Sequence, residues 1–319
     1  MKSLAVASRS FSQNKILRSL VLERYPDAKF NDEGISLAGD SLIEFLAGYE
    51  KAILALEIVD DHVLAHLPHL RVIGKYGVGL DMIDLCAMEK HNVQLGWTGG
   101  VNKRSVSELV VSFSIYLLHK VVLANNEVKR GKWYQVKGQQ LSGRTFGIVG
   151  CGHIGKDLVH LLKPFGCKVL THDVVNYSDF YEENNVTPVS LAELMKRSDI
   201  VSLHLPLNDS TKGLITAKLI NLLNQDSIFI NIARGGLIDE AALEKRLIEG
   251  SLAGAALDVF GIEPPVNNEL VQLDNVIVTP HIGGSTEEAI LAMGKAAIAG
   301  LDDFREAKYF MADELLSCV

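Results

Sequence analysis

Short apolar runs alternate with amphipathic stretches along most of the chain. The runs over 4–8 (LAVAS), 51–56 (KAILAL) and 70–77 (LRVIGKYG) predict strands, and the stretch over 12–24 predicts a helix. Residues 102–119 predict one long helix with a strongly apolar face. Strands separated by helices of ten or more residues are typical of doubly wound parallel sheets. The pattern therefore predicts an α/β protein.

A second series of strands and helices follows a polar segment. This segment, over 125–143, carries Trp133 and Tyr134, and the new series runs from residue 144 to about residue 281. The last thirty or so residues predict one amphipathic helix and a tail. A chain of 319 residues has room for about two domains of ordinary size. We therefore expect two α/β domains.

A glycine motif follows the first strand of this second series. In Gly150-x-Gly152-x-x-Gly155 the first glycine permits a tight turn, the second lets the backbone approach a pyrophosphate, and the third lets helix and strand pack closely. The helix starting near His153 would offer free N–H groups to the phosphates. Asp173 ends the next strand, where a carboxylate accepts ribose hydroxyls and repels a 2′-phosphate. The motif predicts NAD binding, the alternative being a glycine turn without a ligand.

Titratable residues follow three later strands. Arg234 comes after one strand, Asp258 and Glu263 after the next, and His281 after the third. Ligands of open α/β sheets bind at the carboxyl ends of strands. Arginine holds a carboxylate with its planar fork, and histidine exchanges protons near neutral pH. We predict that Arg234 holds a 2-hydroxy acid, that His281 exchanges its proton, and that Glu263 orients His281.

Composition limits the classes of molecule that the protein can be expected to bind. The net charge of -8 argues against a nucleic-acid surface but allows a small anionic substrate in a local basic site. No stretch of eighteen apolar residues or signal-peptide core is present, so we expect no membrane contact and a cytoplasmic location.

His62, His66 and His69 predict a solvated helix face rather than a metal site, and we expect no metal. The cysteines lack CxxC or zinc spacing and fit a reducing cytosol: Cys86, Cys151, Cys167 and Cys318.

Four segments together carry a family resemblance. They are LSGRTFGIVGCGHIG, NIARGGLIDEAAL, AGAALDVFGIEPP and VIVTPHIGGSTEEA, in this order. They resemble the D-isomer-specific 2-hydroxyacid dehydrogenases, and within that family the D-3-phosphoglycerate dehydrogenases. Only about thirty-five residues follow His281, so we expect no C-terminal serine-sensing domain.

The resemblance implies a domain arrangement and an assembly. It implies a flavodoxin-like substrate-binding domain over 1–100 and 290–319, and a Rossmann NAD-binding domain over 101–289. It also implies a homodimer formed mainly through the cofactor domains, the long helix and the polar segment. Trp133 and Tyr134 would be interface anchors there, or would pack against their own chain.

The resemblance also assigns site residues. The catalytic group would be Arg234, Glu263 and His281, and Asp258 would bond the nicotinamide carboxamide. The cofactor site would comprise Gly150, Gly152, His153, Ile154, Gly155, Asp173, His204, Pro206, Ile232, Ala233, Arg234, Asp258, His281, Gly283 and Gly284. The substrate site would comprise Lys75, Tyr76, Gly77, Val78, Gly79, Asn102, Arg234 and His281.

The substrate stays open at this stage. Lys75 stands where phosphoglycerate dehydrogenases commonly carry an arginine, and it could bind a phosphate together with Lys103 and Arg104, although such residues are more often surface charge. The expected reaction is NAD-dependent hydride transfer with a small 2-hydroxy or 2-keto acid, with 3-phosphoglycerate as the leading substrate. The alternatives are a glyoxylate or hydroxypyruvate reductase and an NAD(H)-sensing, corepressor-like binding protein.

Overall fold

The computed structural model describes residues 2–313 and divides the chain into two compact units. Unit 1 comprises Met1–Asn102 and Glu287–Val319, and unit 2 comprises Lys103–Thr286. The predicted C-terminal tail and Cys318 lie outside the described residues. Each unit is built around its own sheet.

The described residues form thirteen strands and fourteen α-helices. The strands are β1 (Lys2–Val6), β2 (Lys29–Phe30), β3 (Tyr49–Leu54), β4 (Val72–Lys75), β5 (Gln94–Gly96), β6 (Thr145–Val149), β7 (Lys168–His172), β8 (Val186–Pro188), β9 (Ile200–Leu203), β10 (Ile228–Asn231), β11 (Gly254–Leu257), β12 (Val276–Val278) and β13 (Arg305–Glu306). The helices are α1 (Arg9–Gln13), α2 (Lys15–Arg24), α3 (Asp40–Leu46), α4 (Asp61–Ala65), α5 (Leu85–Lys90), α6 (Lys103–Leu118), α7 (Val121–Lys129), α8 (His153–Leu162), α9 (Ser178–Asn184), α10 (Leu191–Arg197), α11 (Ala217–Ile220), α12 (Glu240–Ile248), α13 (Glu287–Gly300) and α14 (Lys308–Asp313).

Unit 1 has a six-stranded sheet in the order β13-β5-β4-β3-β1-β2. The five strands β1–β5 are parallel, in the order 2-1-3-4-5 that is typical of flavodoxin-like folds. Strand β13 pairs antiparallel with β5 at the edge. The predicted flavodoxin-like sheet is confirmed, and β13 is an antiparallel addition that the pattern did not predict.

Unit 2 has a seven-stranded parallel sheet in the order β12-β11-β10-β9-β6-β7-β8. Strands β9, β10 and β11 are buried along their whole length, which explains their nearly continuous apolar sequences. The order reverses between β6 and β9, and this reversal is the switch point beside which ligands of Rossmann folds bind. The predicted Rossmann sheet is therefore confirmed.

Three helix predictions are wrong in detail. The helix over 12–24 is interrupted at Asn14, because this side chain accepts the N–H groups of Ile16 and Leu17 and starts a second helix. The first part of the polar segment is helical, since α7 continues to Lys129. The C-terminal region contains α13, β13 and α14 rather than one helix, because the chain turns after Gly300 and pairs with β5.

Two further findings concern helix length and the cysteines. Among residues 2–313 no single helix is long and apolar enough to cross a membrane, and α6 and α7 reach that length only as a pair bent by 61°. Cys151 and Cys167 are free.

Candidate active site

The glycine loop joins β6 to α8 at the switch point of unit 2. Gly150 has a φ of +96°, and a Cβ on it would lie 2.6 Å from the carbonyl oxygen of His204. A Cβ on Gly155 would lie 2.3 Å from the carbonyl oxygen of Gly150. A Cβ on Gly152 would meet no atom within 4 Å, and no side chain caps the helix that starts there. The loop is therefore tight inside and open at the first turn of α8, which fits a bound diphosphate.

Asp173 follows β7 and holds this loop. Its Oδ2 accepts the N–H of Cys151 at 2.5 Å, and its Oδ1 accepts the N–H of Val175 at 2.8 Å. Each carboxylate oxygen keeps a second lone pair with which it can accept a ribose hydroxyl. The thiol of Cys151 is buried, and this burial raises its pKa. Asp173 therefore fits both a structural role and the predicted ribose contact.

His204 follows β9 on the other side of the switch point. Its Nε2 lies 3.0 Å from the Ser202 hydroxyl, and no described residue offers a partner to its buried Nδ1. Burial lowers the pKa of His204 to about 3, so the ring is neutral at physiological pH. A neutral, partly unpaired imidazole fits the predicted lining of the cofactor site without a proton-transfer role.

Arg234 lies in a turn after β10. The Asn231 side chain closes this turn, because its Nδ2 donates to the Arg234 carbonyl and its Oδ1 accepts the Ala233 N–H. A Cβ on Gly235 would lie 1.9 Å from the backbone carbon of Phe260, so the turn packs directly on the loop after β11. The guanidinium donates to the Ala233 carbonyl at 2.8 Å and is half-buried.

Glu263 and His281 form the predicted pair. The Nδ1 of His281 lies 2.9 Å from Glu263 Oε2, and Glu263 Oε1 accepts the Phe260 N–H at 3.1 Å. The carboxylate therefore fixes one ring nitrogen and leaves Nε2 for a ligand. Both side chains are exposed at the edge of a cavity of about 390 Å³ lined by Phe260, Pro264 and Val278 among others.

Asp258 builds the turn that carries His281. Its buried carboxylate accepts the Ile282 and Gly283 N–H groups at 2.8 Å each and the Thr279 hydroxyl at 2.5 Å. Its carbonyl accepts the His281 N–H at 2.9 Å. His281 has a φ of +55°, which costs about 1 kcal/mol or more in a residue other than glycine. Asp258 therefore offsets local strain at the candidate catalytic histidine, a role that the sequence analysis missed.

The loop after β4 in unit 1 contains the predicted substrate residues. Lys75 is buried, and Tyr76 packs edge-on against Phe11 with ring centroids 5.3 Å apart. Burial raises the pKa of Tyr76. Asn102 is also buried, and its Oδ1 has no hydrogen-bond partner among the described residues. The side chains of Lys75 and Tyr76 thus point into unit 1, which leaves the loop backbone for a ligand.

The remaining predicted residues lie near these turns or are engaged elsewhere. Pro206 follows β9, Ile232 is buried after β10, and Gly283 accepts a hydrogen bond from Ser105. Arg104, a candidate phosphate ligand, pairs with the buried Asp157 at 2.9 Å. Among residues 2–313 no group of three His, Cys, Asp or Glu residues could hold a metal ion.

The comparison with known families gives the assignment. Residues 111–283 match the profile described as D-isomer specific 2-hydroxyacid dehydrogenase, NAD binding domain. The chain belongs to the D-isomer specific 2-hydroxyacid dehydrogenase family. The predicted family, the dehydrogenase class and the NAD cofactor are thereby confirmed.

Relatives of this chain carry different names. It is 40% identical over 235 residues to a D-3-phosphoglycerate dehydrogenase of Methanocaldococcus jannaschii, covering 73% of the chain but 45% of that relative. It is 32% identical over 320 residues to a glyoxylate reductase of Thermococcus litoralis, covering 97% and 95%. The chain thus spans about half of the first relative and nearly all of the second.

A solved structure shares the fold of the chain along nearly its whole length. It is a D-lactate dehydrogenase of Aquifex aeolicus in complex with NAD and lactic acid, with a TM-score of 0.81 and 25% identity. The likeness covers 98% of this chain and 96% of that chain.

The residues that support the candidate site were harder to predict from the sequence than its chemical groups. Asn231 ends the buried strand β10 and Thr279 follows β12, and each lies next to a predicted site residue. A polar side chain at the carboxyl end of a strand was the available signal. What that side chain binds depends on contacts between different loops.

Proposed function

We propose that the chain interconverts a small 2-hydroxy acid and its 2-keto acid with NAD(H). One observation carries this proposal, namely the Glu263–His281 pair at 2.9 Å, held by Asp258 on a sheet that also carries the glycine loop. A histidine oriented by a carboxylate exchanges protons efficiently. The family membership supports the same reaction class.

Each site residue would have a distinct role in the reaction. NADH, when bound, supplies the hydride. The amides at the start of α8 and Asp173 would hold the diphosphate and the ribose. Arg234 would bind the carboxylate of the acid. In the direction of reduction, protonated His281 would donate its Nε2 proton to the oxygen that was the keto group, and Glu263 would stabilise the charged ring before that transfer.

The substrate is proposed as a class. The relatives are named for phosphoglycerate, glyoxylate and hydroxypyruvate, all small 2-hydroxy or 2-keto acids. In unit 2, Arg234 and His281 are proposed to bind the acid, and in unit 1 the loop Tyr76–Gly79 and Asn102 are proposed as ligand-binding residues. A cytoplasmic location stays a prediction.

A spectrophotometric assay tests the proposed reaction. Purified wild-type chain is mixed with NADH or NADPH and with glyoxylate, hydroxypyruvate, pyruvate and 3-phosphohydroxypyruvate. We expect NADH oxidation with at least one acid, and we expect His281→Asn to lower kcat by 10²-fold or more while NADH still binds. His119→Asn, an exposed histidine after α6, is the matched control.

Two results would contradict the proposal. Normal turnover by His281→Asn would remove the catalytic assignment. Binding of NADH without oxidation by any of the four acids would favour the sensor alternative.

A further inference from the structure

Lys75 is a buried lysine at the end of β4. It is 4% exposed, and its Nζ donates to the carbonyl oxygens of Ala55 at 2.6 Å and Tyr76 at 3.3 Å. Lysine is almost never fully buried unless its ammonium is paired. The Ala55 carbonyl follows β3 and the Tyr76 carbonyl follows the neighbouring strand β4, so the Lys75 ammonium connects the ends of these two strands by hydrogen bonds.

The ammonium lies directly behind the loop backbone. A Cβ on Gly77, where φ is +112°, would lie 3.4 Å from Lys75 Nζ. A second donor acts further along, because Trp97 Nε1 donates to the Val78 carbonyl at 3.1 Å. Lys75 and Trp97 thus bind two alternate carbonyls of the same loop from inside unit 1.

These two contacts determine where the loop amides point. In a planar trans peptide the N–H group points opposite to the carbonyl group. The Gly77 N–H is therefore directed away from Lys75, and the Gly79 N–H away from Trp97. No described residue accepts a hydrogen bond from the backbone N–H of Gly77, Val78 or Gly79. Successive outward amides of this kind form an anion site.

We propose that Lys75 is a positioning residue that sets the Gly77 and Gly79 amides for the carboxylate of an unphosphorylated 2-keto acid. Because its ammonium is held by carbonyl oxygens behind the loop, it does not serve as a phosphate ligand. Arg104, another candidate for that role, is paired with Asp157. The inference rests on the proposed function and names the substrate class of that reaction.

Two substitutions test the positioning role. Lys75→Met removes the donors, and Lys75→Arg keeps both the donors and the charge. We expect Lys75→Met to raise KM for glyoxylate and hydroxypyruvate about tenfold, with kcat changed less than threefold and NADH affinity unchanged. We expect Lys75→Arg to restore KM to within about threefold of wild type.

Lys51→Met is the matched control. Lys51 lies near the start of β3 in the same sheet, and its Nζ also donates to a carbonyl, that of Leu301. It therefore reports the general effect of losing a carbonyl-bound lysine from unit 1. Its KM should stay within twofold of wild type, and thermal unfolding of all variants separates lost folding from lost binding.

Two separate measurements test the substrate class and the role of Lys75 in binding. We expect wild-type kcat/KM for hydroxypyruvate to equal or exceed that for 3-phosphohydroxypyruvate. Calorimetric binding of oxalate to the NADH-bound protein tests the loop without turnover, and Lys75→Met should weaken it about tenfold. If no acid is reduced, the proposed function fails and the oxalate result still decides the role of Lys75.

Three outcomes would overturn the inference itself. The first is an unchanged KM or an unchanged oxalate affinity in folded Lys75→Met. The second is a tenfold wild-type preference for 3-phosphohydroxypyruvate that disappears in Lys75→Met, which would make Lys75 a phosphate ligand. The third is a Lys51→Met variant with the same KM defect, which would reduce the effect to general loss of packing.

Discussion

Single polar side chains hold the backbone turns on which the candidate chemical groups stand. Asp258 binds the turn of His281, Asn231 binds the turn of Arg234, and Asp173 binds the glycine loop through Cys151. Hydrogen bonds from backbone N–H groups to a carboxylate are stronger than those between neutral groups. Residues that do not react therefore keep the reacting ones in place.

His204 should make stability depend on pH. Its pKa is about 3 in the folded protein against 6.5 as its ordinary value, so the unfolded chain binds the proton first. The stability that its neutral form contributes is complete above pH 6.5 and is lost as the pH falls toward 3. Between pH 7.0 and 5.5 wild type should lose about 1 kcal/mol more unfolding free energy than His204→Gln.

Urea unfolding at the two pH values measures this difference. The other histidines and carboxylates are common to both proteins, so their titration cancels in the comparison. If the free energy of unfolding depends on pH equally in wild type and His204→Gln, protonation of the His204 ring does not destabilise the folded protein.

At the level of elements, loops from one sheet edge converge because the strands of unit 2 are parallel. The turns after β6, β10, β11 and β12 leave the same edge, and packing between them is direct where Gly235 meets Phe260. This geometry brings the Arg234 turn onto the loop that also anchors Glu263. Residues far apart in sequence are thereby brought to one edge of the sheet.

Two glycines of the strand–loop–helix element should respond differently to alanine. Gly152→Ala places a methyl group where no atom lies within 4 Å, so thermal stability should change little. The same methyl would fill the space at the start of α8, so NADH should bind at least tenfold more weakly. Gly155→Ala would put its Cβ 2.3 Å from a backbone oxygen and should lower the unfolding temperature.

Fluorescence titration with NADH and thermal unfolding measure these two effects. Unimpaired NADH binding by Gly152→Ala would mean that the diphosphate does not approach this glycine. A stable Gly155→Ala would mean that the loop can relax by more than its close contacts suggest.

At the level of the whole molecule, we propose that the segment after α7 contacts a second copy of the chain. Glu127 accepts hydrogen bonds from Lys132, Arg130 and Tyr134, and these bonds lower its pKa to about 2. They hold the segment while Trp133 stays 89% exposed and Tyr134 56% exposed. Packing of Trp133 against its own chain is therefore not seen among the described residues, and the homodimer remains our proposal.

Trp133→Ala should weaken that homodimer. An exposed tryptophan contributes little to the folding of one chain but often much to an interface. We expect light scattering after gel filtration to give twice the chain mass for wild type and a concentration-dependent lower mass for the variant. Ile16→Ala, an exposed apolar residue of α2, is the control. Wild type at the mass of one chain would refute the dimer.

The sequence by itself determined the two parallel-sheet architectures, the NAD motif and the residue types of the candidate site. These follow from local patterns, since strand burial, glycine spacing and a titratable residue after a strand are all encoded within a few neighbouring positions. It missed the break at Asn14, where a side-chain cap starts a second helix, and the edge strand β13, which pairs with β5. It also missed the helix α7.

Only the tertiary structure decided what each polar side chain binds. The sequence shows that residue 75 is a lysine but does not show whether its side chain points toward a ligand or into unit 1. Only its hydrogen bonds to the Ala55 and Tyr76 carbonyls show that it points into unit 1. Asp258 likewise meets Gly283 across 25 positions of sequence. Such contacts join segments distant in the chain, so they depend on how whole elements pack and not on the local pattern.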